Sequence, residues 1–373
     1  MLLLARRLVS FFDLLDLEAT DFFECDLDGF LFGAANPVVI STADNAATST
    51  LFIKVPLSPL ALLDFSSNPQ YYTVVFPVLV PVPGKISRIL KLSIVIVNWN
   101  TASFLRDCLG SLAKCQVTGG FETIVVDNNS RDDSVRVVRD EFPDVILLEE
   151  KANHGYALGN NLGIAKATGE FILTLNSDTV LSEAVLEKAI HRLESMPSYG
   201  CLSVQLIGTD RKPQRSVRGF PSVAGIFGDI TGLGKVLPAL DSYRLTRFDY
   251  ETSQDAPQPM GTFLLFRGSV LKEIPGPFDE QFPIFFNEVD LLKQMQQKGY
   301  KCWYEASISI KHFGGESTKQ VKKSMIWESH RSLIRYFSKN LKGLARISLP
   351  FLSLAIWLGA FWRAKGFHEG FRP

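Results

Sequence analysis

The sequence predicts an α/β protein with a mostly parallel sheet and helices on both faces. Two observations carry that expectation. From residue 92 onward, short apolar runs alternate with longer amphipathic segments, and such alternation implies crossover helices between parallel strands. The apolar runs also lack a polar face, as expected of strands covered on both sides.

Residues 92–97 form the first such strand. A helix is expected at 103–114, capped by Ser103 or Thr101. A second strand at 122–126 ends in Asp127-Asn-Asn-Ser130. A helix at 133–141 leads to a strand at 145–148, and another helix is expected at 155–167. The strand at 171–175 stops at Asn176-Ser-Asp178. Residues 182–196 are amphipathic, with Val185, Leu186, Ala189, Ile190 and Leu193 on one face. Asn98, Asp127 and Asp178 thus fall at the carboxyl ends of strands, where ligands bind in open α/β sheets. Beyond residue 200 the alternation weakens. A strand is expected at 262–266 and a helix from about Asn287.

Composition bounds the rest. Hydrophobic residues make up 46% of 373 and charged residues 21%, enough for a sizeable core. Lys+Arg and Asp+Glu are equal at 39 each, so overall charge names no partner. Its distribution is uneven. Residues 1–88 carry nine acids against five bases, and residues 319–373 carry eleven bases against two acids. A basic tail beside apolar sequence suggests an anionic membrane surface. Nucleic acid is disfavoured, since no aromatic–basic interleaving on a recognisable binding fold accompanies it. The five cysteines include no CxxC pair. A disulfide framework or structural zinc site is not expected, and a reducing compartment fits.

Residues 1–88 hold no recognisable motif. Their prolines between 76 and 83 oppose helices and central strands. An accessory domain, an extended arm and an over-long gene start are the three readings. At the other end, 327–341 is basic and amphipathic, and 347–362 is an apolar stretch containing Pro350. Sixteen residues rise roughly 24 Å as a helix, short of the ~30 Å hydrocarbon core. An interfacial or re-entrant helix is therefore expected rather than a clean span.

Five clusters could carry chemistry. Asp127 can accept hydrogen bonds from a base imide or a ribose, or else cap a turn. Asn176-Ser-Asp178 can present oxygen ligands to Mg²⁺ or Mn²⁺, or cap the next helix. Glu288 and Asp290 follow the aromatic run 282–286. Apolar neighbours would raise a carboxyl there and make it a general base, whereas a plain helix first turn would use acids for its dipole. His312, before two glycines, could supply an imidazole to a metal. The segment Asn153-His-Gly155 through Asn161 could cradle a diphosphate at a helix start. It lacks the spacing of dinucleotide or Walker loops.

The order of these clusters is more specific than any one of them. Ser93-Ile-Val-Ile-Val-Asn-Trp-Asn100, Val125-Val-Asp-Asn-Asn-Ser130, the 153–161 segment and Leu175-Asn-Ser-Asp178 come first. Met260-Gly-Thr-Phe-Leu-Leu-Phe-Arg267, Gly276-Pro-Phe-Asp-Glu280, Phe286-Asn-Glu-Val-Asp-Leu291 and His312-Phe-Gly-Gly-Glu-Ser317 follow. This series resembles glycosyltransferase family 2, in particular its bacterial rhamnosyltransferase-like branch, over about residues 92–337.

The resemblance implies a GT-A fold and single-displacement inversion at the anomeric carbon. It divides the chain into an extension (1–88), a nucleotide-sugar half (92–200), an acceptor and catalytic half (201–318) and a membrane-associating tail (319–373). Asp127 would contact the base. Asn98, Asn100, Asn128, Asn153, Gly155, Asn161 and Asn176 would line the nucleotide-sugar site. Asp178 and His312 would hold the divalent cation, with Asn176 replacing the first acid of the family's DxD motif. Glu288 stands where the family has a catalytic aspartate, with Asp290 as a supporting acid. The expected partners are a nucleotide-sugar donor, dTDP-rhamnose or a UDP-sugar, and a glycan or polyprenyl-linked acceptor. The expected location is the cytoplasmic face of the plasma membrane. The competing class is a catalytically weak nucleotide-sugar-binding or scaffold protein in polysaccharide assembly.

Overall fold

The computed structural model describes residues 39–45, 48–56, 71–77, 90–231, 233–315 and 322–365, the first three segments as backbone only. Most of 1–88, residues Glu316 and Ser317 of the histidine motif, and the last eight residues of the basic tail lie outside them. The chain forms two compact units, Met1–Arg88 and Ile89–Pro373.

In the first unit, β1 (Val39–Asn45), β2 (Thr48–Pro56) and β3 (Tyr71–Pro77) form an antiparallel sheet in that order. Pro77 closes β3, an outer strand, where a missing ladder N–H is tolerated.

The second unit is a three-layer α/β structure. Its strands and helices run β4 (Leu92–Asn98), α1 (Ala102–Leu112), β5 (Phe121–Asp127), α2 (Ser134–Glu141), β6 (Ile146–Glu149), α3 (Gly155–Lys166), β7 (Phe171–Asn176), β8 (Thr179–Val180), α4 (Val185–Glu194) and β9 (Tyr199–Ile207). Then come β10 (Val217–Arg218), α5 (Val223–Thr231), β11 (Gln254–Asp255), β12 (Gln258–Pro259), β13 (Phe263–Arg267), α6 (Gly268–Lys272), α7 (Asn287–Gln297), β14 (Lys301–His312), α8 (Lys322–Asn340) and α9 (Leu349–Ala364).

One sheet takes the order β11-β14-β9-β13-β7-β4-β5-β6, with β8 beside β14. The pairs β4–β5, β4–β7, β5–β6 and β9–β14 are parallel, and β13 is inserted antiparallel between β7 and β9. The expected mostly parallel sheet with helices on both faces is therefore present. Alternation along β4 sets the layers. Leu92, Ile94 and Ile96 pack with Leu105 and Leu109 of α1 and Leu186 of α4, while Val95 packs with Ala157 of α3 and Leu291 of α7. This is why the strands read as unbroken apolar runs.

β9 is a difference from the sequence reading, which had the pattern fading after residue 200. It extends the same sheet, so residues 92–200 and 201–312 share one core. The expected cap Ser103 lies inside α1 instead. Thr101 is the N-cap, but its hydroxyl bonds Asn98 rather than the helix.

α3 lies unusually close to the sheet. A Cβ at Gly159 would sit 2.8 Å from Val97, and one at Gly163 would sit 2.3 Å from Val95. Pro350 occupies the first turn of α9, where its missing N–H costs nothing, so it starts that helix rather than interrupting it.

Candidate active site

Strand register brings the polar strand ends together. Asn98 is opposite Asp127, Val97 is opposite Asn176, and Thr179 is opposite His312. The carboxyl edge of the sheet therefore collects four of the sequence-defined clusters.

A hydrogen-bond chain runs across that edge. Asn98 Nδ2 donates to Asp127 Oδ1 at 3.0 Å, and Thr101 Oγ1 donates to Asn98 Oδ1 at 2.6 Å. With that proton committed, the Ser177 hydroxyl donates to Thr101 at 2.9 Å. Asp127 also accepts from the Ser130 hydroxyl at 2.6 Å and the Ser130 N–H at 2.8 Å. Oδ1 has both lone pairs engaged by these bonds, and Oδ2 retains one. Asn100, at φ 51°, accepts from the Arg131 N–H at 2.7 Å. Asn128 donates to the Gly155 carbonyl at 2.9 Å, and its buried Oδ1 has no hydrogen-bond partner.

The 153–161 segment has a different job from a diphosphate cradle. Asn153 Oδ1 accepts from the Gly155 N–H. The Tyr156 and Ala157 N–H groups, the start of α3, both point at the Pro283 carbonyl, at 2.6 and 3.1 Å. Gly155 is needed because φ is +88° and a Cβ would sit 2.5 Å from that carbonyl oxygen. Asn161 spends its amide on the Phe278 backbone, donating at 2.8 Å and accepting at 3.1 Å. The segment thus clamps the 278–283 loop in place, and the α3 N-terminus is occupied by protein.

Asp178 and His312 face each other, with Nε2 3.5 Å from Oδ1, and both are almost fully buried. Gln214 orients the ring. Its Nε2 donates to the His312 carbonyl at 3.1 Å, so its Oε1 must be the group 2.7 Å from Nδ1. Nδ1 therefore carries a proton, and Nε2 faces Asp178 with no hydrogen-bond partner among the described residues. Asp178 is held from behind, since its carbonyl accepts the Phe313 N–H at 3.0 Å. An imidazole lone pair beside a carboxylate fits Mg²⁺ or Mn²⁺ with two protein ligands, leaving the remaining positions to phosphate and water. Among the described residues no group of three or more His, Cys, Asp or Glu could hold a metal by itself. Gln214→Leu, which frees the ring, is expected to weaken Mn²⁺-dependent donor binding about 10–100-fold, read by titration calorimetry. An unchanged affinity would show that Gln214 orients nothing.

Glu288 stands in the first turn of α7, beside the turn leading into β13. A Cβ at Gly261 would be 3.5 Å from its Cγ. The adjacent Thr262 carbonyl accepts the Asn176 N–H at 3.0 Å. Burial pushes the Glu288 carboxyl up to about 7, against the opposing pull of the Glu288 and Val289 N–H groups and the Arg218 charge. The side chain keeps partial access to solvent. Tyr156 reaches the same turn. Its hydroxyl donates to the Gly261 carbonyl at 3.1 Å, and its phenol is raised by burial and by the charges of Glu288 and Asp178. Phe286, just before α7, sits at φ 70°, a strained conformation for a bulky residue. Asn287 donates to the Phe282 and Ile284 carbonyls and braces that bend.

Asp290 faces elsewhere. It is 1% exposed, and its Oδ2 accepts from Lys339 and Gln294, each at 2.8 Å. Lys339 also reaches Asp279 at 2.7 Å. Asp290 thus ties α7 to α8, correcting its expected place beside the base. Asp290→Ala should lower Tm by several degrees, since the site loses a buried ion pair, while leaving kcat within threefold. A large kcat loss at unchanged Tm would put it back in the chemistry.

Sequence reading missed Gln214, Arg218 and Tyr156. Gln214 and Arg218 lie in and before the two-residue strand β10, a polar segment without periodicity. Their only signal was a run of basic and amide residues before Gly219-Phe-Pro221.

Residues 93–274 match the family model described as "Glycosyl transferase family 2". The "N-acetylglucosaminyl-diphospho-decaprenol L-rhamnosyltransferase" of Mycobacterium tuberculosis is 22% identical over 271 residues, covering 69% of this chain and 87% of that protein. The "Low-salt glycan biosynthesis hexosyltransferase Agl10" of Haloferax volcanii is 24% identical, covering 53% and 59%. Among solved structures, a mannosyltransferase from Pyrobaculum calidifontis with GDP-Man and Mn²⁺ overlays at TM-score 0.47 and 17% identity, over 74% and 76%.

Proposed function

Because this chain carries a glycosyltransferase family 2 domain, we propose that it transfers a sugar with inversion from a nucleotide diphosphate to an acceptor hydroxyl. One observation carries the reading. A carboxyl tuned to about 7, Glu288, stands beside Gly261, whose neighbour Thr262 binds Asn176 of the segment that carries Asp178, the partner of His312. A base near the working pH and an anion-neutralising site next to it are what this displacement requires.

The acceptor oxygen attacks the anomeric carbon while its proton passes to Glu288. The bond from that carbon to the diphosphate oxygen breaks, and the nucleoside diphosphate leaves with the electron pair. Asp178 and His312 Nε2 would hold a divalent cation, which when bound supplies positive charge opposite the departing diphosphate. Asp127, with one lone pair left on Oδ2, receives the base or ribose of the donor. Arg218 keeps enough positive field at Glu288 for the carboxylate form to be reached near neutral pH.

The donor is dTDP-rhamnose or a UDP-sugar, and the acceptor is a lipid-linked or polysaccharide hydroxyl at the cytoplasmic face of the plasma membrane. The name of the mycobacterial relative, a rhamnosyltransferase on a decaprenol diphosphate, supports this choice. Purified protein with Mn²⁺ should consume one member of a nucleotide-sugar panel and label a polyprenyl-diphosphate sugar. If no nucleotide sugar is bound or consumed, the reading fails.

A further inference from the structure

α9 is an apolar helix whose larger part is exposed. With the 3₁₀ turn Gly343–Ser348 it makes a 22-residue helical stretch whose most apolar 18-residue window has mean hydropathy 1.7 and is 11% buried. Ile356 and Ala360 are covered by the body of the protein, and Trp357 meets Trp327 of α8 with ring centres 5.4 Å apart. Phe351, Leu354, Leu358, Phe361 and Trp362 lie on the other side, between 42% and 77% exposed. Their spacing of three and four residues makes one continuous stripe.

A second apolar projection lies across the same core. Ile226 of α5 and Ile356 of α9 belong to one cluster with Phe286 and Val289, which flank Glu288 in the chain. Just beyond α5, Leu233, Val236 and Leu237 are 41–74% exposed around the exposed Lys235. Charge completes the pattern. Lys342 and Arg346 precede α9, Arg363 and Lys365 end it, and no acid occurs between residues 329 and 365. Exposed apolar side chains framed by cations match a bilayer surface carrying anionic headgroups.

We propose that the outward stripe of α9 docks this protein onto an anionic lipid bilayer, with α9 lying in the interface rather than crossing it. Length alone would permit a crossing. The covered face argues against one. α9 is held along α8, and α8 is fixed to the catalytic half by Tyr336, Phe337 and the Lys339 bridge to Asp279 and Asp290. A crossing would strip α9 from α8 and leave the buried Ser329, His330 and Ser332 of α8 without their cover. Docked in this way, α9 holds the bilayer on the side of the cluster that Ile356 shares with Phe286 and Val289, the chain neighbours of Glu288, and a lipid-linked hydroxyl would approach from there. The orientation of the acceptor rests on the transferase reading; the docking itself does not.

The test is flotation of the full chain with phosphatidylcholine vesicles, with and without phosphatidylglycerol. Binding is expected only with the anionic lipid, weakened by raised salt and released by alkaline carbonate. The combined Phe351→Glu, Leu354→Glu and Leu358→Glu variant should lose at least tenfold in bound fraction with an unchanged melting temperature. As a check on wild-type protein, brominated lipid should quench tryptophan emission, and Trp362→Phe should reduce that quenching. Equal binding by the variant, or absence of quenching, overturns the proposal. Resistance to carbonate overturns it in favour of a crossing, and a vesicle-independent dimer sealed by the stripe overturns it in favour of a second copy. Vesicle docking without consumption of any nucleotide sugar would sink the transferase reading alone.

Discussion

Glu288→Gln is expected to bind donor within a few-fold of the native protein and to lose about 10²–10⁴-fold in turnover. The amide keeps the shape of the side chain and the helix start but cannot take a proton. The pH profile gives an independent reading. Only the deprotonated carboxylate acts as a base, and burial sets its midpoint at about 7. The native kcat/KM should therefore fall tenfold per pH unit well below that point. The variant's residual rate should be flat over the same range. Turnover within tenfold of native would move the base elsewhere.

Stability should shift in the opposite sense. The folded carboxyl titrates above its ordinary 4.5, so this group's contribution is present at low pH and is lost as pH rises through about 7. Gln has no charge to desolvate. Glu288→Gln should melt above the native protein at pH 8, and the gap should close near pH 4. A native protein that is relatively more stable at pH 8 than the variant would contradict the buried position of the carboxyl.

Asp178→Ala is the second large effect. It removes the only anionic group of the proposed cation pair, and turnover should fall about 10²-fold or more. The sharper reading is thermodynamic. Native protein should bind a nucleoside diphosphate more tightly with Mn²⁺ than without, and the variant should show one affinity in both conditions. Its thermal protection by the nucleotide should likewise lose its dependence on Mn²⁺. His312→Ala should weaken the same dependence about 10–100-fold, because the imidazole adds a ligand but no charge. If Asp178→Ala retains full Mn²⁺-dependent binding, the pair is structural.

Much of the site was legible because its residues stand where strands stop. Asn98, Asp127 and Asp178 each follow an apolar run, and parallel pairing then forces those ends to one edge. Glu288 was legible from the aromatic run before it. Asp290 was not separable from it, since both acids sit two residues apart in one helix turn. At about 100° per residue, two steps turn a side chain roughly 200° around the axis. The second acid therefore faces α8 and Lys339 while the first faces the turn at Gly261. Asn161 and the start of α3 misled for a related reason. An amide-rich helix N-terminus suits an anion, but here a backbone carbonyl from Pro283, more than a hundred residues later, fills it.

The sequence by itself determined the sheet, its layers and the polar edge, because apolar periodicity and strand-end chemistry are local properties of the chain. Through the order of its motifs it also pointed to the family whose model matches residues 93–274. Only the tertiary structure decided which atoms are free to act. It set Gln214 behind His312 and Lys339 on Asp290, both contacts between distant segments, and brought the Arg218 charge within reach of Glu288. Hydrogen-bond capacity is finite, and a donor or acceptor already satisfied across the fold is no longer available to a substrate.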